Sequence, residues 1–286
     1  MKESAPFPGP GAAVWLTVGS WLLTALVIGG FVGDLGPITA LGLGLAIGLG
    51  VTGTLAARRV PPPQAERIGL RGFAPRLVFA LVLLVPLVLL VSELDNVVRA
   101  LLPAADAAQP GEGGQGAQEL TTGLFAVEAA IVLVGLAPVI EEFFFRGVIQ
   151  QGLVALGGAR RGILGAAILY ALGHGNLVAT PAGWVSATLG SLAIGLALGY
   201  ARLASRSLLA PILLSMAISA AGVLSAQLAE LVPIPGFNAA GDRTPGVWLA
   251  PAAISVALGV LLLARERRGA GQERPPASQS SDGGAA

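Results

Sequence analysis

The chain has 286 residues, a formal net charge of +1, 54% hydrophobic and 12% charged residues, and a mean hydropathy of +0.78. A soluble domain has about 25% charged residues, so the bilayer is the expected solvent, and a near-neutral chain is not built to hold nucleic acid. No cysteine and one histidine, His174, are present; this rules out disulfides, thiolate metal sites, a cysteine nucleophile and any site needing two imidazoles from this chain.

Residues 1–12, with Lys2, Glu3, Pro6, Pro8 and Pro10, read as a disordered start without a convincing cleavable signal. Apolar runs able to cross about 30 Å of hydrocarbon follow near 13–33, 37–57, 74–92, 122–157, 162–178, 184–201, 207–231 and 248–264. The fourth run is too long for one simple crossing and is expected to bend at Pro138. The expected fold is therefore all-α, a polytopic membrane bundle of about eight transmembrane helices. Along the chain the reading is N-terminal helices and loops over 13–121, a core domain over 122–231, a last loop and helix over 232–264, and a disordered Ser/Gly/Pro/Gln-rich tail over 265–286.

Arginines set the expected orientation. Arg58, Arg59, Arg67, Arg71 and Arg76 fill the second loop, Arg160 and Arg161 the fourth, Arg202 and Arg206 the sixth, and Arg265, Arg267 and Arg268 follow the last span. Eight crossings put all of these on one side, and the positive-inside rule makes that side, with both termini, cytoplasmic. The Arg-rich, Lys-poor, Gly/Ala-rich composition is compatible with a high-GC bacterium, hence with an inner membrane. Span two (Gly42, Gly44, Gly48, Gly50, Gly53) and span six (Ser191, Gly195, Gly199) carry small residues suited to close helix packing.

The chemistry concentrates at Pro138–Gly147, where Glu141, Glu142 and Arg146 interrupt an apolar stretch. Charges in hydrocarbon are costly and usually face a cavity or one another. Glu142 and Arg146, four apart with Glu first, form the favoured helical ion pair. Glu141, rotated by about 100°, lacks that partner and is available to act on something else. Tyr170 and His174 share a face of span five, and Ser215 and Ser219 share a face of span seven. The two serines are expected to bond the carbonyl four residues back. Phe143, Phe144 and Phe145 read as packing, and Asn176 as a lesser polar donor candidate.

At these residues the chain resembles the CAAX-protease and bacteriocin-processing (CPBP, abortive-infection) family of intramembrane endopeptidases. The family's Glu-Glu-x-x-x-Arg motif matches Glu141, Glu142 and Arg146. Its Phe-x-x-x-His motif matches Tyr170 and His174, with Tyr replacing Phe. Its His-x-x-x-Asn motif falls on Ser215 and Ser219, in a segment from Ser207 to Leu214 that otherwise fits; Ile68–Arg71 is similar to the linker before the core. The resemblance implies that Glu141 activates water for attack on a peptide carbonyl, that His174 holds the water or moves the proton, and that Glu142 and Arg146 orient the site. The third-motif positions would stabilise the oxyanion. A metal-dependent version of the mechanism makes the family's histidines ligands. Here only Glu141, Glu142 and His174 could serve zinc, whose catalytic sites use three protein ligands, so no cofactor is expected.

The functional expectation is an intramembrane endopeptidase acting on a membrane-associated protein or peptide, in contact with the lipid bilayer. The alternative is a catalytically impaired pseudoprotease of the same fold, a scaffold or binding partner, suggested by the two serines. A proton-coupled transporter would need a continuous polar path, for which the spans offer few ionisable groups.

Overall fold

The computed structural model describes residues 5–102, 123–175 and 180–272. Asn176 lies outside them, as do 1–4, 103–122 and 273–286. Among the described residues the fold is helical, with no strand. Eight main helices form the bundle: α1 Pro10–Leu35, α2 Pro37–Ala57, α3 Arg76–Leu101, α4 123–157, α5 159–174, α6 Pro181–Ser205, α7 Leu209–Gln227 and α8 Gly246–Gln272. A short helix, Gln64–Ile68, links α2 to α3. Six of the eight (α1, α2, α3, α6, α7 and α8) are long and apolar enough to cross a membrane. The bundle is all-α and polytopic, and the chain is an integral membrane protein.

Several boundaries depart from expectation. Residues 5–12 are not a loose start: Pro8 is buried, the Phe7 carbonyl accepts from Gln151 Nε2 at 2.5 Å, and α1 begins at Pro10, where a proline costs no helical hydrogen bond. Residues 265–272 continue α8 rather than opening a tail, and Glu266 pairs with Arg76 at 2.8 Å. The third span runs on to Leu101 because its polar end finds partners. Asp95 pairs with Arg99, Glu93 with Arg243, and Asn96 Nδ2 donates to the Gly236 carbonyl. The fifth stops at His174 and is too short to cross the hydrocarbon upright.

α4 is one continuous rod with two wide π-type stretches, Ala130–Leu136 and Phe143–Ile149, on either side of Ala137–Glu142. Pro138 has no N–H to give and its ring crowds the preceding turn; the wider turn just before it accommodates both. Gly158, at φ 76° and ψ 170°, breaks the rod. That left-handed φ is open to glycine at little cost, and it folds α5 back along α4.

Two large apolar clusters make most of the core, and a small third one joins Ile38 to Ala129 and Val132. One large cluster joins α1, α2, α4 and α5 through Ala13, Leu45, Leu49, Phe144, Phe145, Ile149 and Ala166. The other joins α3, α6, α7 and α8 through Leu77, Leu84, Leu198, Leu214 and Leu263. α1 and α2 approach closely where a side chain at Gly48 would collide with Thr24. The arginine-rich loops meet at one end: Arg71 Nε donates to the Arg206 carbonyl at 2.9 Å, and Arg202 Nη2 to the Arg67 carbonyl at 2.9 Å.

Candidate active site

α4 and α5 run antiparallel from the Gly158 turn, with Glu141 and His174 at nearly equal numbers of residues from it. At a common rise of 1.5 Å per residue the two side chains reach the same level.

Glu141 Oε1 lies 3.3 Å from His174 Nε2, and the Tyr170 hydroxyl donates to Glu141 Oε2 at a long 3.5 Å. The other ring nitrogen, Nδ1, is 2.8 Å from the Tyr170 carbonyl oxygen. A carbonyl only accepts, so Nδ1 carries a hydrogen. The Nε2–Oε1 contact is then a hydrogen bond only when one further proton lies between the two groups. The geometry thus suits passage of a proton between the two groups.

These groups line a cavity of about 550 Å³ beside Leu45 and Ala137, with Ser215 and Ser219 entering from α7. The expected bond from each serine to the carbonyl four residues back is not formed; neither hydroxyl is hydrogen-bonded to a described residue, whereas Thr17 and Thr54 do bond back in this way. The serines are therefore cavity hydroxyls, which corrects the sequence reading. Packing sets the imidazole from two further sides: the Tyr170 ring at 4.0 Å and, edge-on, the Trp21 indole at 5.3 Å. Trp21 fits because residue 173 is glycine; a Cβ there would fall 1.9 Å from the indole nitrogen.

Glu142 and Arg146 sit apart from this cavity. They pair at 2.9 Å with side chains 0% and 1% exposed. Arg146 Nη2 donates to the Gly195 carbonyl at 3.1 Å, and its guanidinium lies 4.4 Å from the Tyr170 ring centre. One turn further, Gln150 Nε2 donates to the Gly199 carbonyl at 2.9 Å. Glu142, Arg146 and Gln150 thus form a buried polar stripe at four-residue spacing, stapling α4 to α6. Sequence reasoning missed Gln150, although the spacing from Arg146 announced it. It also missed Trp21, whose position near the middle of α1, away from the interfaces where tryptophan usually sits, was the available signal.

Zinc does not fit this donor set. One carboxylate, one imidazole and hydroxyls face the cavity, the second carboxylate is engaged by Arg146, and no three His, Cys, Asp or Glu converge among the described residues. Three protein ligands are the rule for catalytic zinc.

Fold and site together define a polytopic membrane helix bundle with a carboxylate–imidazole pair facing a cavity. Residues 123–221, which carry every motif position named above, match the family model for type II CAAX prenyl endopeptidases of the Rce1-like kind. Over this segment the chain is therefore similar to a family of peptidases, the type II CAAX prenyl endopeptidases. No curated protein and no solved structure matches the chain.

Proposed function

We propose that this protein is an intramembrane endopeptidase that hydrolyses a peptide bond of a membrane-associated protein or peptide through a water activated by Glu141. The observation that carries the reading is the Glu141–His174 contact opening onto the cavity. In this mechanism Glu141, as carboxylate, takes a proton from water while the resulting hydroxide adds to the peptide carbonyl carbon. The oxyanion accepts hydrogen bonds from the His174 imidazolium and the hydroxyls of Ser215 and Ser219. Glu141 then hands its proton to the departing nitrogen as the C–N bond breaks. General acid–base catalysis of this kind contributes about 10²–10⁴-fold. No step passes through a metal. Glu142 and Arg146 position the helix that carries Glu141. The arginine-rich end is cytoplasmic on this reading, in a bacterial inner membrane.

The alternative, a pseudoprotease that binds without cleaving, is favoured by one observation: Ser215 and Ser219 stand where the family motif has His and Asn. One experiment separates the two. Purified protein in nanodiscs is incubated with membrane-anchored peptides and new amino termini are read by mass spectrometry. Cleavage by the wild type that is lost in Glu141→Gln supports the peptidase. No cleavage by the wild type, or equal cleavage by the variant, rejects it.

A further inference from the structure

A second pocket, of about 240 Å³, lies at the arginine-rich end of the bundle. Arg67 from the short helix, Arg202 from the end of α6 and the α4 residues Arg146, Gln150 and Gln151 line it, and no carboxylate does. Of the three arginines only Arg146 has a counter-ion among the described residues, Glu142. Arg202 is half-buried, donates through Nη2 to the Arg67 carbonyl, and leaves Nε buried without a partner. Arg202 is thus a partly desolvated cation without its usual partner, and the exposed Arg67 beside it adds a second positive charge with no counter-ion among the described residues. Gln150 adds an unused acceptor: it is 3% exposed, and its Oε1 is buried with no donor.

We infer that this pocket binds a phosphate group that also carries a hydroxyl. Its anionic oxygens answer the Arg67 and Arg202 guanidiniums, a pairing for which arginine's planar fork is suited. Its hydroxyl donates to Gln150 Oε1, which a bare anion leaves empty. Two sources share this chemistry: free phosphate, as its monoanion or dianion, and the headgroup of phosphatidylglycerol, whose diester phosphate adjoins glycerol hydroxyls. A basic pocket between helix ends is a favourable place for an anionic headgroup. The site does not depend on the peptidase reading, because none of Arg67, Arg202 and Gln150 contacts Glu141 or His174.

The test uses the full chain. Inorganic phosphate, with chloride at equal ionic strength as reference, is titrated against the detergent-purified protein by calorimetry. Separately, protein in nanodiscs of phosphatidylglycerol or phosphatidylcholine is released and its retained lipid counted by native mass spectrometry. Arg67 is exposed, so Arg67→Gln keeps the fold, and Arg202→Gln is the second variant. Loss of one charge-assisted contact is expected to weaken binding about tenfold or more. Phosphate binding that drops in both variants assigns the free anion. Retention of phosphatidylglycerol over phosphatidylcholine, lost in both variants and without a phosphate response, assigns the headgroup. Neither ligand binding, or binding unchanged in both variants, overturns the site.

Discussion

Two neighbouring glutamates on α4 have opposite surroundings, and the contrast explains how one helix serves both structure and chemistry. Glu142 meets a permanent cation, Arg146, in a buried contact between α4 and α6, with the Gly195 carbonyl accepting a further guanidinium donor. Glu141, about 100° around the helix, meets a group that can gain or lose a proton and opens onto a cavity. A carboxylate locked to arginine is a fixed strut. A carboxylate facing an imidazole across a cavity has a neighbour that can exchange a proton with it, which suits a base that must take and return one. Tyr170 joins the two sets, its hydroxyl on Glu141 and its ring under Arg146.

The sharpest division between them comes from the largest effect. Glu141→Gln keeps the shape and removes the base, so cleavage should fall by about 10²–10⁴-fold while the thermal midpoint stays near that of the wild type. Arg146→Ala should do the reverse in kind: it strands a buried carboxylate and should cost about 3–5 kcal/mol of stability, measured by unfolding in detergent. Adding Glu142→Gln to Arg146→Ala should recover part of that loss, since the stranded charge is gone. If Glu142→Gln brings nothing back, the pair is not the strut described here.

Much of this was legible in the sequence, for physical reasons that also mark where it stopped. Hydropathy delivered eight helices because each crossing must be apolar along most of its length. It misplaced the end of α3, where Glu93, Asp95, Asn96 and Arg99 look like a loop until their partners Arg243 and Gly236 arrive from a distant segment. The Glu142–Arg146 pair was readable because it is local, four residues on one helix. The Glu141–His174 contact was readable only through the motif pattern, since nothing local fixes how α4 and α5 align; the Gly158 turn does that. Ser215 and Ser219 were misjudged because a backbone carbonyl is always within reach of a helical serine, whereas a cavity is visible only once α7 has packed against α4. Trp21 and Gly173 belong to segments far apart in sequence and form a single contact, which no spacing rule within one helix reveals.

The serines offer the next test of the contrast. If their hydroxyls hold the oxyanion, Ser215→Ala and Ser219→Ala should each slow cleavage, and losing a comparable donor in a well-studied protease costs about 10²–10³-fold. A hydroxyl shared with water holds less, so the lower end is expected, as a fall in kcat with KM unchanged. Loss confined to KM would mean that the serines contact the substrate away from the reacting carbonyl.

Tyr170→Phe probes the hinge between the two glutamates and should have the smallest effect. The hydroxyl's bond to Glu141 is 3.5 Å long, at the limit of a useful interaction, and the family motif has Phe here. The ring stays beneath the Arg146 guanidinium and against His174, and neither contact needs the hydroxyl. The variant should therefore keep its stability within about 1 kcal/mol and its cleavage rate within a few-fold. Its informative readout is the cleavage rate. An unchanged rate would show that the tyrosine serves the strut through its ring alone, leaving His174 as the side chain that holds Glu141 for the chemistry. A fall of more than a few-fold would place the hydroxyl in the working site.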